Sequence, residues 1–116
     1  MKTSLAFKVA HFANKSGVKP DILNNPAVIY MRQELELLGK GGVRFEISVY
    51  ADGSWSARSV NVDGIITGGI NQSDMIETIK DAVFTYYDIS PQFCDDSLLR
   101  GTGEKKTVKN EIYVTV

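Results

Sequence analysis

The sequence predicts an α+β fold: a three-stranded antiparallel meander with a helix on one face and a C-terminal strand, preceded by a helical N-terminal arm. Three observations point there. Phe45, Ile47 and Val49 alternate with Arg44, Glu46, Ser48 and Tyr50, the period of a half-buried strand. Asp52-Gly53 and Asp63-Gly64 punctuate the stretch that follows, and Asp-Gly tolerates the positive φ that a tight reversal demands. Beyond them, Met75, Ile76, Ile79, Ala82, Val83 and Tyr86 recur at helical spacing.

The elements follow in order. Leu5, Phe7 and Val9 alternate like a strand, but Leu5, Val9 and Phe12 also fit one helical face closed by Ser16-Gly17, and a helix is the expectation. A second helix starts at Asn25-Pro26, with Asn25 as N-cap and Pro26 at a position whose missing N–H does no harm. Val28, Met31, Leu35 and Leu38 form its stripe, widened by Ile29, Tyr30 and Leu37, so that it needs cover on more than one side. Gly39, Gly41 and Gly42 cannot be helix interior, since each costs about 1 kcal/mol against alanine there. They divide an arm, residues 1–43, from a core domain, residues 44–116. After the first strand and the turn at Ala51-Asp52-Gly53, Trp55 and Ala57 share one face of a second strand while Ser54, Ser56 and Arg58 share the other. Ile65-Ile66-Thr67 reads as a short third strand and Gly68-Gly69 as a tight turn into the helix. Asn71 is expected to cap that helix, with Asp74 in the reciprocal position three residues on. Pro91 forbids its continuation, and the β-branched tail from Thr107 to Val116 reads as a final strand.

Composition narrows the function. With 116 residues, 43% hydrophobic and 23% charged, the chain is one ordinary domain able to bury a core without staples. No apolar run approaches a bilayer span, and Lys8 and His11 interrupt the N-terminal apolar stretch, so neither a membrane segment nor a signal peptide is expected. Cys94 is alone, which excludes an internal disulfide and a cysteine zinc site and points to a reduced, cytoplasmic setting. The net charge of −1 gives the whole molecule no reason to seek nucleic acid, although it divides as +3 over residues 1–43 and −4 over residues 44–116.

The run Asp52-Gly53-Ser54-Trp55-Ser56-Ala57, then Val62 to Gly69, then Asn71 and Asp74 through Ile79-Lys80-Asp81-Ala82-Val83 resembles the HicB-like antitoxin domain over about residues 44–90. The resemblance implies a partial RNase-H-like fold acting as the neutralising subunit of a toxin–antitoxin pair, its partner a small basic ribonuclease. Many members carry a C-terminal DNA-binding domain. Here the sequence stops at Val116 and has some forty residues before the core instead, so autoregulation by DNA binding is not expected.

Catalytic readings fare poorly against this background. Two-metal hydrolysis needs several carboxylates converging on ions about 4 Å apart. Glu46 points away from the apolar face on which the helix packs, out of reach of Asp74, Glu77 and Asp81. His11 lacks a second ligand nearby, Cys94 precedes two aspartates that would raise its pKa, and Gly68-Gly69 lacks the rest of a phosphate loop. No catalytic residue, metal or cofactor is expected. Binding fares better. Arg44, Glu46, Ser48, Tyr50, Ser56 and Arg58 occupy the sheet face opposite the helix, and Tyr and Arg are types enriched at binding hot spots. Asp74, Glu77 and Asp81 give the helix an acidic outer side able to steer a basic protein.

The expectation is therefore a non-enzymatic binding protein that neutralises a ribonuclease toxin, or another nuclease, by steric and electrostatic occlusion, as a homo-oligomer. A phage-type counter-defence inhibitor of a nuclease complex and an orphan oligomeric regulatory subunit are the alternatives. The lysines of the first twenty residues could touch phosphates, but nucleic acid is the weaker expectation.

Overall fold

A computed structural model describes residues 18–39, 41–105 and 110–116, with side chains described for residues 18–39, 41–101 and 111–116. The expected opening helix, His11 and the lysines at positions 2, 8 and 15 lie outside the described residues.

Two helices come first, α1 (Pro20–Leu23) and α2 (Pro26–Leu37). Asn25 caps α2 as its sequence demands: the side-chain carbonyl accepts from the N–H of Ala27 at 3.0 Å and of Val28 at 3.2 Å. Val28, Met31 and Leu35 are fully buried, one stripe at helical spacing. Among the described residues the wider cover expected for α2 is not found. Ile29, Tyr30 and Leu37 are exposed, because a straight helix can turn only about a third of its circumference into one core.

The chain then reverses through Gly42, at φ +61°, into β1 (Val43–Val49), β2 (Trp55–Ser59) and β3 (Ile66–Gly69). Both Asp-Gly turns form as expected, with Gly53 at φ +91° and Gly64 at φ +90°. Asp52 stabilises the first by accepting from the Ser54 N–H at 3.0 Å and its hydroxyl at 2.6 Å. That contact with Ser54 also holds the Asp52 carboxyl below its ordinary pKa.

Helix α3 (Met75–Tyr86) follows, then two short 3₁₀ turns (Pro91–Phe93 and Asp96–Leu98) and a hairpin of β4 (Arg100–Lys105) and β5 (Asn110–Thr115). All five strands join one antiparallel sheet in the order β3-β2-β1-β5-β4. Of the tail strand expected over Thr107–Val116, the structure shows Asn110–Thr115, residues 107–109 lying outside the described residues, and β4 is an added strand that no sequence pattern announced.

The register assigns the faces. Val43, Phe45 and Ile47 pair with Val114, Ile112 and Asn110 on one side, while Ile47 and Val49 pair with Ala57 and Trp55 on the other. This face meets Ile79, Val83 and Phe84 of α3 and joins the buried residues of α1 and α2 in a single hydrophobic cluster. The glycine-rich reversal is therefore a bend within one packed body. Each large side chain buried there contributes about 1.5–3 kcal/mol.

The N-terminus of α3 departs from expectation. Asp74 occupies the N-cap position without a side-chain bond, and the Asn71 side chain instead accepts from the N–H of Ser73 at 3.2 Å, closing a turn before the helix. The Asn71 carbonyl is taken by the Trp55 indole N–H at 2.6 Å, which ties the start of α3 to β2. Gly68 and Gly69 belong to β3 itself. A Cβ on Gly69 would sit 2.8 Å from Trp55 Nε1, so the glycine lets the indole cross the strand rather than forming a turn.

The C-terminus of α3 ends in a Schellman motif. Asp88 adopts φ 58°, its N–H donates to Thr85 O at 3.0 Å, and the Ile89 N–H donates to Phe84 O at 3.0 Å. Phe84 and Tyr87 turn inward and Tyr86 outward, where the apolar spacing put Tyr86 in the core.

Candidate functional site

Because partners in an antiparallel ladder share a face, the register collects Arg44, Glu46, Ser48, Ser56 and Arg58 on the side of the sheet away from α3, as their alternation predicted. Ile66, Glu111 and Tyr113 join them through pairings that only the register reveals.

This face has two unequal halves. Over β1 and β5 it is closed. Glu111 is only 6% exposed, with Arg44 Nη1 3.9 Å from its carboxylate and the Tyr113 hydroxyl donating to it at 3.4 Å. A charge so placed is retained only where such partners replace water. Over the end of β1, β2 and β3 the face is open. Arg58 reaches across to Glu46 at 3.0 Å, and Tyr50 and Ser56 share a hydroxyl contact of 2.9 Å. The Arg58 side chain stays 69% exposed and Ile66 71%, so the ion pair orders the surface without hiding it. Such a pair is worth about 0–1 kcal/mol in stability.

Asp74, Glu77 and Asp81 lie exposed on α3, on the opposite side of the sheet. The nine residues singled out in the sequence thus occupy two surfaces separated by the core, not one continuous patch. Among neighbouring acids, Asp96 is answered by Lys80 at 3.3 Å, and Asp95 accepts from the Ser97 N–H at 2.8 Å. Asp81 has a distinct setting. It lines an open groove of about 310 Å³ between α3 and the β2–β3 edge, together with Thr67, Thr78, Ala82, Thr85 and Tyr86.

No three His, Cys, Asp or Glu side chains among the described residues lie close enough together to hold a metal ion. The Cys94 thiol donates to the carbonyls of Ile89 and Ser90 at 3.5 and 3.4 Å. Burial and then the nearby Asp81 carboxylate push its pKa up, against use as a nucleophile. No helix among the described residues is long and apolar enough to cross a membrane. No protein-family model, curated protein or solved structure matches this chain.

Proposed function

We propose that the protein is a non-enzymatic binding protein that neutralises a small basic ribonuclease, in the manner of an antitoxin, by covering it with the open half of its sheet. On this reading the order strand, strand, strand, helix is the partial RNase-H-like core of a HicB-like domain, and the β4–β5 hairpin completes its sheet. The observation that carries the reading is the surface of Tyr50, Ser56 and Arg58, held by side-chain contacts while Tyr50 and Arg58 stay exposed, beside the exposed Ser48. The contacts at 2.9 and 3.0 Å fix side chains before a partner arrives, which lowers the entropy cost of docking. The acids Asp74, Glu77 and Asp81 on the far side of the core draw in a basic partner during approach, at a rate that falls with salt. The exposed Ile29, Tyr30 and Leu37 of α2 support self-association of two chains.

The test is capture of the partner by tagged wild-type protein and by a Tyr50→Ala, Arg58→Glu variant, followed by a nuclease assay. Retention of a basic ribonuclease, inhibited at stoichiometric ratio and bound at least tenfold more weakly by the variant, is the expected result. Recovery of the bait alone, or a ribonuclease that stays fully active when bound, defeats the reading. A captured multi-subunit nuclease would favour the counter-defence inhibitor.

A further inference from the structure

The two ends of the sheet are built differently. β4, at one end, has the sequence Arg-Gly-Thr-Gly-Glu-Lys, and three charges in six residues deter a further strand. β3, at the other, is Ile-Thr-Gly-Gly, with no charge and no proline, and Ile66 and Ile70 beside it are 71% and 87% exposed. Among the described residues nothing pairs with its outer side. Ser59 N–H donates to Ile65 O at 2.9 Å, so by the alternation of an antiparallel ladder residues 65, 67 and 69 bond inward to β2. The N–H and C=O groups of Ile66 and Gly68 therefore point outward.

The groove beside α3 runs along this same edge. A strand added to β3 would drop alternate side chains into it and lay the others against Ile66 on the open face. Among the described residues of the lining, Asp81 alone carries a charge; Thr78 and Thr85 add hydroxyls, and Ala82 and Tyr86 an apolar wall. That combination suits a lysine or arginine, whose stem packs on Ala82 and Tyr86 while its head meets the carboxylate. A second copy of the chain is the wrong occupant. Two β3 edges paired about a two-fold axis would set α3 beside α3 on one face, acids against acids.

From this geometry we propose that the β3 edge accepts an extended basic segment of the partner by strand addition, with a Lys or Arg side chain at Asp81 and an apolar residue beside Ile66. The inference rests on the reading of the molecule as a binding protein and supplies the chemistry of what it binds. Main-chain bonds give the affinity in such a mode and the alternate pockets the selectivity.

The test is fluorescence anisotropy with a labelled hexapeptide of alternating valine and lysine. Controls are the same peptide N-methylated at every second amide and its glutamate counterpart. The unmodified lysine peptide is expected to bind at least tenfold more tightly than either control, with binding weakened by salt. Asp81→Asn should weaken it about fivefold. Ile66→Pro, which removes an outward N–H while leaving the inward ladder intact, should weaken it at least tenfold. Equal binding of the methylated and unmodified peptides, or affinity untouched by Asp81→Asn, overturns the proposal without requiring any protein variant to lose its fold. Capture of a ribonuclease that survives Ile66→Pro, with no peptide binding, discards the edge and leaves the neutraliser reading standing.

Discussion

At Asp88 the backbone sits at φ 58°, a region that costs most L-residues about 1–2 kcal/mol and glycine little. Asp88→Gly should therefore stabilise the protein by up to about 1 kcal/mol, seen as a higher urea midpoint with unchanged slope. The opposite sign is expected at Asn25, where two N–H groups of α2 depend on one side-chain oxygen. Asn25→Ala should cost about 1 kcal/mol in the same experiment. Asn25 was legible because its residue type, its proline neighbour and the stripe behind it agree. Asp88 was not, since nothing in Tyr-Tyr-Asp-Ile-Ser declares where a left-handed residue falls. Glu111 and Ile66 escaped the sequence for another reason: their place on the outward face depends on which strands pair and in what register.

The elements divide in the same way. β1 and β2 could be read from alternation and from the Asp-Gly turn between them, because local chemistry alone specifies both. β4 could not. Its two glycines and three charges carry no apolar period, and a Cβ on Gly101 would lie 2.6 Å from Ile76 Cγ2 of α3. The strand exists because β5 pairs with it and α3 presses on it, both tertiary effects. The start of α3 was misjudged for a related reason: Trp55 takes the Asn71 carbonyl, and the turn before the helix forms around that bond. The β2–β3–α3 unit accordingly has a weak point that can be measured. Gly69→Ala would push a methyl into the indole and should destabilise by about 1–3 kcal/mol. Trp55 is the sole tryptophan, so its emission reports directly whether the ring has been displaced.

For the molecule as a whole, the junction of α2 with the end of α3 sets the response to alkali. Tyr87 packs edge-on against Tyr86 at 5.0 Å and Tyr30 of α2 at 6.1 Å. Burial first, then Glu34 and the two neighbouring phenols, push its pKa from 10.0 up to about 12. A raised phenol pKa means that the folded state holds its proton longer than the unfolded chain does. The stability linked to Tyr87 is therefore fully present below pH 10 and is lost as pH climbs toward 12. Urea midpoints measured across that window should fall steadily, and Tyr87→Phe should flatten the decline. A decline of unchanged steepness in the variant would assign it to other groups.

The sheet's strand order has a consequence for biosynthesis. β1 is central, yet one of its two neighbours is β5, which leaves the ribosome after the other four strands of this sheet. Until residues 110–115 emerge, the middle of the sheet must wait with a bare flank, its apolar side chains shielded on one side alone. A nascent chain stalled before Asn110 would hold β1 and β2 ready-made but unfinished, a species inclined to borrow its missing neighbour from another polypeptide.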